Sequence, residues 1–192
     1  SVWAKINGYN KVLVKKYDVC LIAPIRVDAV SKGGFEEGLV SGSTVDAGKL
    51  VSITDFRGYA VAQTAIGNPT EFEKYAVQLW KYYDVKSIFF DLSKAKYTLA
   101  VNGGSVVANN DLSYADAMTA AKLSELTNKA VNLSLSQSGN NITFKNNGGS
   151  NVEEMFYVYI PVTVEYAYGK LTEYVKIPVY PRGQVPASVK RR

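Results

Sequence analysis

Alternation of apolar and polar positions is most regular between residues 159 and 181, YIPVTVEYAYGKLTEYVKIPVYP. It runs on both sides of Gly169-Lys170, the pattern of a β-hairpin closed by a short turn. With a two-residue loop at Gly169-Lys170, Val164 faces Val175, Val162 faces Ile177 and Ile160 faces Val179. One face of the ribbon is then a ladder of β-branched pairs, the natural core face. The same register sets Pro161 opposite Pro178 at a non-hydrogen-bonded pair, where neither needs an N–H toward its partner. The second face carries Tyr157, Tyr159, Tyr174 and Tyr180 with Thr163, Glu165 and Lys176. Two readings of that face stand. The rings are half-buried under a helix or loop, or they form a flat aromatic and polar surface for a protein partner or a glycan.

Elsewhere the pattern is less even. Residues 11–30 read as extended strands broken at Ala23-Pro24. Residues 1–24 are strands or linker, either the end of a preceding domain or the first strands of this one. Residues 25–181 form the β-sandwich domain expected here, and residues 182–192 a tail with little to pack. The Gly- and Ser-rich stretch SKGGFEEGLVSGSTVDAG reads as loop or irregular edge. The best helix covers 69–83, with Asn68 as cap, Pro69 first and Glu71 three residues after the cap. Its stripe of Phe72, Tyr75, Ala76, Leu79, Trp80 and Tyr83 is expected to face the core. Strands follow at 85–92 and 97–101, then a turn at Gly103-Gly104. A second helix is predicted over 112–127, with Ser113 and Asp116 as a capping box. Strands 131–137 and 141–147 flank a Gly139-Asn140 turn.

Composition narrows the classes. The 192 residues are 47% hydrophobic and 20% charged, which suits one folded domain with a real core and excludes disorder. No apolar run reaches the roughly 18 residues of a membrane helix. The chain opens Ser1-Val2-Trp3 without methionine or a signal peptide, as expected of a processed or excised piece. Net charge is +5, but the 22 basic residues are dispersed, clustering only at Lys15-Lys16 and Lys190-Arg191-Arg192. That spread argues against nucleic-acid binding. Cys20, the single cysteine, forbids an internal disulfide and reads as a quiet buried thiol.

Reactive groups are sparse. With no histidine the chain lacks the commonest general base and zinc ligand, and the centre of a serine triad. Ser93-Lys94-Ala95-Lys96 matches S-x-x-K, but about one such match is expected by chance and the companion motifs are missing. The carboxylate pairs Glu36-Glu37 and Glu153-Glu154 are adjacent in sequence, so strand alternation points their members apart rather than toward one bond. Asp55, Asp91, Asp111 and Asp116 fall at element ends, where caps and turns use them. NNDLSYAD (109–116) reads as a loop leading to a helix cap, and no calcium loop, G-x-G-x-x-G or P-loop occurs. No catalytic, cofactor-binding or metal-binding residue is assigned.

YIPVTVEYAYGKLTEYVKIPV resembles the closing hairpin of secreted surface proteins of Bacteroidales, whose terminal domains often read I/V-P-V-x-V-x-Y, a short turn and a second apolar strand. YDVCLIAPIRV and YYDVKSIFFDL are similar in texture to other segments of those proteins. The resemblance implies an Ig-like or related antiparallel β-sandwich, exported and displayed at the cell surface; the two helices depart from a plain Ig domain. The expected function is a non-catalytic extracellular module for adhesion or structural protein–protein interaction, with no cofactor. A carbohydrate-binding module and a fibre or virion subunit assembling by strand addition are the alternatives. The candidate surface is Tyr157, Tyr159, Tyr174, Tyr180 and Lys176.

Overall fold

The strictest alternation in the chain builds the centre of the structure. In this computed structural model, which describes residues 2–4, 12–15, 23–30, 33–127, 132–148 and 151–190, the strands are β1 (Val2–Ala4), β2 (Val12–Lys15), β3 (Ile25–Ala29), β4 (Phe35–Glu36), β5 (Ser43–Asp46), β6 (Val51–Asp55), β7 (Ser87–Phe90), β8 (Lys96–Tyr97), β9 (Leu99–Asn102), β10 (Ser105–Ala108), β11 (Leu133–Ser138), β12 (Asn141–Asn146), β13 (Phe156–Tyr166) and β14 (Gly169–Tyr180). Three short helices join them among the described residues: α1 (Ala76–Tyr82), α2 (Ala120–Thr127) and α3 (Ala187–Lys190). The chain is mainly β.

The β13–β14 hairpin forms the middle of one sheet. β7 and β8 pair in turn along the far side of β13, and β4 adds to β14 in parallel. A second, antiparallel sheet of order β11-β12-β5 faces it. Ile160, Val162, Val175, Ile177 and Val179 from the hairpin meet Leu133, Ile142 and Phe144 from the opposing sheet, and Leu123 of α2 closes one side. Phe144 joins the layers, with ring centroids 5.5 Å from Phe35 and 6.2 Å from Phe156. Each such side chain, withdrawn fully from water, contributes about 1.5–3 kcal/mol. The result is an antiparallel β-sandwich. A smaller cluster lies beyond it, where the β3–β6 ribbon brings Ile25, Val27 and Ile53 against Tyr83, Val85, Val164 and Tyr166. Among the described residues, β1 and β2 pair only with each other.

The hairpin register differs from the expected one. Tyr166 pairs with Gly169, so the turn residues are Ala167 and Tyr168, and Val164 faces Leu171 rather than Val175. Neither turn residue takes a positive φ; that conformation falls on Gly169 (φ 137°), the first residue of β14. The observed pairing gives every residue of β13 a partner, which a turn two residues later would not. The displacement is an even number of residues, so each side chain keeps its predicted face. The prolines do not meet: Pro161 faces Tyr174, and Pro178 faces Tyr157. Pro161 accepts the Asp91 N–H at 2.9 Å, so its amide edge points toward β7 and β8. β7 covers residues 162–165 of β13 and β8 covers 158–159, so the missing N–H falls in the break between them.

The helices are shorter than predicted. Residues 71–75 form turns, and α1 starts only at Ala76. Asn68 is not the cap, since its φ is 49°. Instead the Glu73 carboxylate takes both the backbone N–H and the hydroxyl of Thr70, at 2.9 and 2.7 Å. The apolar stripe therefore splits: Ala76 and Tyr83 are buried, Leu79 and Trp80 pack partly against the smaller cluster, and Phe72 and Tyr75 are exposed. Ser113 and Asp116 do bond reciprocally, but as a separate turn. Met118 then bridges to Tyr97, which forbids a continuous helix, and Thr119 caps α2 through Lys122 N–H. The segment read as loop or irregular edge at 31–48 contributes β4 and β5, each at the edge of its sheet. Cys20 lies outside the described residues.

Glu36 and Glu37 point apart, as their alternation requires. Glu36 accepts the Gly183 N–H at 2.7 Å, whereas Glu37 is buried, 1% exposed. The Glu37 carboxylate accepts from Asn146 Nδ2 at 2.7 Å and from the Val152 N–H at 3.0 Å, tying β4 to the chain before β13. Burial raises its pKa above the usual 4.5, and these two hydrogen bonds only partly oppose that. The folded state therefore holds the proton more tightly than the unfolded one. Glu37's contribution is full below about pH 4.5 and declines as pH rises through the raised value. In urea unfolding from pH 4 to 7, wild type is expected to lose stability relative to Glu37→Gln as pH rises; a constant difference between the two would contradict this.

Candidate functional site

Loop residues 109–118 bring the site together. The segment leaves β10 at Asn109, whose N–H bonds the carbonyl of buried Thr98, and returns at the Met118–Tyr97 bridge. Thr98 also donates its N–H to the Tyr157 carbonyl and accepts the Tyr157 N–H on its hydroxyl at 2.8 Å. One threonine thus joins the start of the loop to the edge of β13 that faces away from β14.

From these anchors the loop crosses the outer face of the hairpin. Lys176 Nζ donates to the Asn110 carbonyl at 3.2 Å and lies 4.4 Å from the centroid of Tyr157 and 5.3 Å from that of Tyr159. Such contacts are worth about 0.5–2 kcal/mol each. Tyr159 donates its hydroxyl to the Leu112 carbonyl at 3.2 Å. Tyr114 reaches back, giving its hydroxyl to the Lys94 carbonyl at 2.9 Å while its ring stacks on Tyr174 with centroids 4.2 Å apart. Burial, then the neighbouring Tyr174, raises the Tyr114 pKa.

The predicted surface residues therefore divide. Tyr157, Tyr159 and Lys176 are partly covered by the chain's own loop. Tyr180, also half-buried, lies over Gly34, where even a Cβ would come within 2.6 Å of its ring. Tyr174 is the exposed member, at 44%. It borders a groove of about 680 Å³ whose floor is Pro161, Thr163 and Thr172 and whose walls are Tyr114, Tyr174 and Phe89. The Thr163 and Thr172 hydroxyls share a hydrogen bond of 2.9 Å. Two ion pairs edge the groove, Asp91–Lys94 at 2.9 Å and Glu165–Lys170 at 3.2 Å. Bonds from Ser93 and Lys94 hold the Asp91 carboxyl below its ordinary pKa.

Phe89 and Tyr114 belong to this site although the sequence does not mark them. Phe89 lies in a short, strongly apolar strand, yet it is 59% exposed. Tyr114 falls in a segment whose cap residues point to a helix. The S-x-x-K pair is not a unit: Ser93 bonds Asp91, while Lys96 Nζ lies 4.7 Å from the Tyr114 ring centroid and bonds the Ala115 carbonyl. Among the described residues no group of three or more His, Cys, Asp or Glu side chains is placed to hold a metal ion. No family model, curated protein or solved structure matches the chain.

The stacked pair offers a direct check of the site. A double-mutant cycle on Tyr114→Ala and Tyr174→Ala, read by chemical denaturation, is expected to give a coupling of about 0.5–1.5 kcal/mol. Additive losses would mean that the rings do not brace one another.

Proposed function

We propose that this chain is a non-catalytic module displayed outside the cell, binding a protein partner on the outer face of the β13–β14 hairpin for adhesion or structural assembly. One observation carries the reading: the groove beside Tyr174 combines aromatic rings in its walls, Tyr174 and Phe89 exposed, with hydroxyls on its floor and ion pairs at its edge. Protein interfaces are built this way, with aromatic anchors surrounded by a polar rim. The hairpin's likeness to surface proteins of Bacteroidales supports the extracellular placement. Lack of histidine and the separation of Ser93 from Lys96 support a binding role over a hydrolytic one. A glycan is the alternative occupant, using Tyr114 and Tyr174 as its platform.

The free edge of β7 favours a second reading, assembly by strand addition. Asp91 turns its N–H toward β13, so by alternation Phe89 and Ser87 do too, while Ile88 and Phe90 turn theirs outward. Those outward groups have no hydrogen-bond partner among the described residues, and a partner strand docks on such an edge.

Variants separate these readings. Tyr174→Ser and Phe89→Ser are expected to weaken self-association in sedimentation velocity, or binding to immobilised extracellular-matrix proteins, about tenfold or more, with the fold retained and the melting temperature lowered by only a few degrees. Unchanged association would sink the groove reading. Ile88→Pro removes an outward N–H while leaving the groove side chains in place. Loss of association there alone would transfer the function to the strand edge.

A further inference from the structure

A second group of exposed rings surrounds Arg57, where β6 ends. Asp55, its side chain buried, accepts the backbone N–H groups of Arg57 and Tyr59, both at 2.9 Å, and the Nε and Nη2 of Arg57 at 2.9 and 2.7 Å. Burial pushes the Asp55 pKa up, but the Arg57 and Tyr59 bonds outweigh it and hold the carboxyl below its ordinary range. The guanidinium is therefore fixed in plane, its Cζ 5.5 Å from the Phe56 ring centroid and 5.1 Å from that of Tyr59. Nη1 has no protein partner among the described residues.

Beside this oriented fork lies a cavity of about 450 Å³ lined by Arg57, Tyr59, Tyr75, Gln78, Leu79 and Tyr82. Tyr75 and Tyr82 are 56% and 75% exposed, although neighbouring positions of the same segment pack into the smaller core. Two of the lining rings are braced: Tyr82 meets buried Tyr83 edge-on at 5.0 Å, and Phe72 backs Tyr59 at 5.3 Å. Three tyrosines, a carboxamide and a braced guanidinium thus surround a space in the lower part of the range for small-molecule sites.

We propose that this cavity binds a neutral hexose residue of a polysaccharide, a site separate from the hairpin groove and independent of the reading given to it. Sugar rings present C–H faces that pack on aromatic side chains and hydroxyls that need oriented donors and acceptors. Tyr75 and Tyr82 supply the faces; Arg57 Nη1 and the Gln78 amide supply the polar partners. Neutrality follows from the charge balance. Asp55 already compensates Arg57 at 2.7 Å, and no other charged side chain lines the cavity, so a carboxylated sugar finds no unpaired cation.

Titration calorimetry with soluble glucans, mannans and galactans tests the site, with alginate and polygalacturonate as carboxylated counter-probes. At least one neutral polymer is expected to bind. Tyr75→Ala and Tyr82→Ala should each weaken it about tenfold, and both rings are exposed enough to leave folding intact. Arg57→Lys, which keeps the charge beside Asp55 but loses the fork, should also weaken binding, while Tyr174→Ser should not. Failure of every neutral polymer to bind, preference for the carboxylated ones, or binding that survives both tyrosine variants would overturn the proposal. Loss confined to Tyr174→Ser would overturn it too, and would assign the sugar to the hairpin groove.

Discussion

The sandwich and the groove both depend on β13 being buried along its inner face and paired on both edges. Its inner side chains, Phe156 through Val164 at alternate positions, are withdrawn completely from water. β14 accompanies its whole length on one edge, while β7 and β8 share the other. A strand so enclosed tolerates a proline only where no neighbour asks for its N–H, and Pro161 occupies the gap that the passage from β7 to β8 leaves open. Pairing, packing and the placement of one imino acid are thus a single condition on the strand.

The outer face answers a different problem. Tyrosine suits a surface that is neither core nor open solvent, because its ring packs while its hydroxyl finds a polar partner. Here Tyr159 spends its hydroxyl on a backbone carbonyl, and Lys176 is held between a carbonyl and two rings. Much of the aromatic face is therefore used to retain the 109–118 loop. What remains open is the part that loop does not cross, and Tyr114, carried by the loop itself, becomes one wall of the groove.

Period-two alternation survived translation into three dimensions best. The faces of β13 and β14, the β11–β12 hairpin and its Gly139-Asn140 turn are readable from side-chain type alone, because each choice is local. The turn of the long hairpin was misplaced by following glycine, whose positive φ falls just after the turn. Helix periodicity misled more seriously. Phe72 and Tyr75 fit the stripe of α1, yet that stripe is realised only from Ala76 onward, where the smaller core is near enough to receive it. Of the tyrosine face, Tyr157 and Tyr159 are half-buried, as one of the two readings expects, while Tyr174 stays open. Residue pattern gave no access to this division, which depends on where a segment 40 to 60 positions earlier folds back. Glu37 was hidden for the same reason: its partners, Asn146 and Val152, are more than a hundred residues away.

Val162 packs into the larger core and Val164 into the smaller, with Thr163 between them facing the groove. Adjacent inward positions of one continuous strand thus join the two interiors directly, with no linker between them. The floor of the groove is set on that seam rather than on a peripheral loop. Whatever binds there rests on the one strand that both interiors hold, between walls that a loop and an edge strand supply.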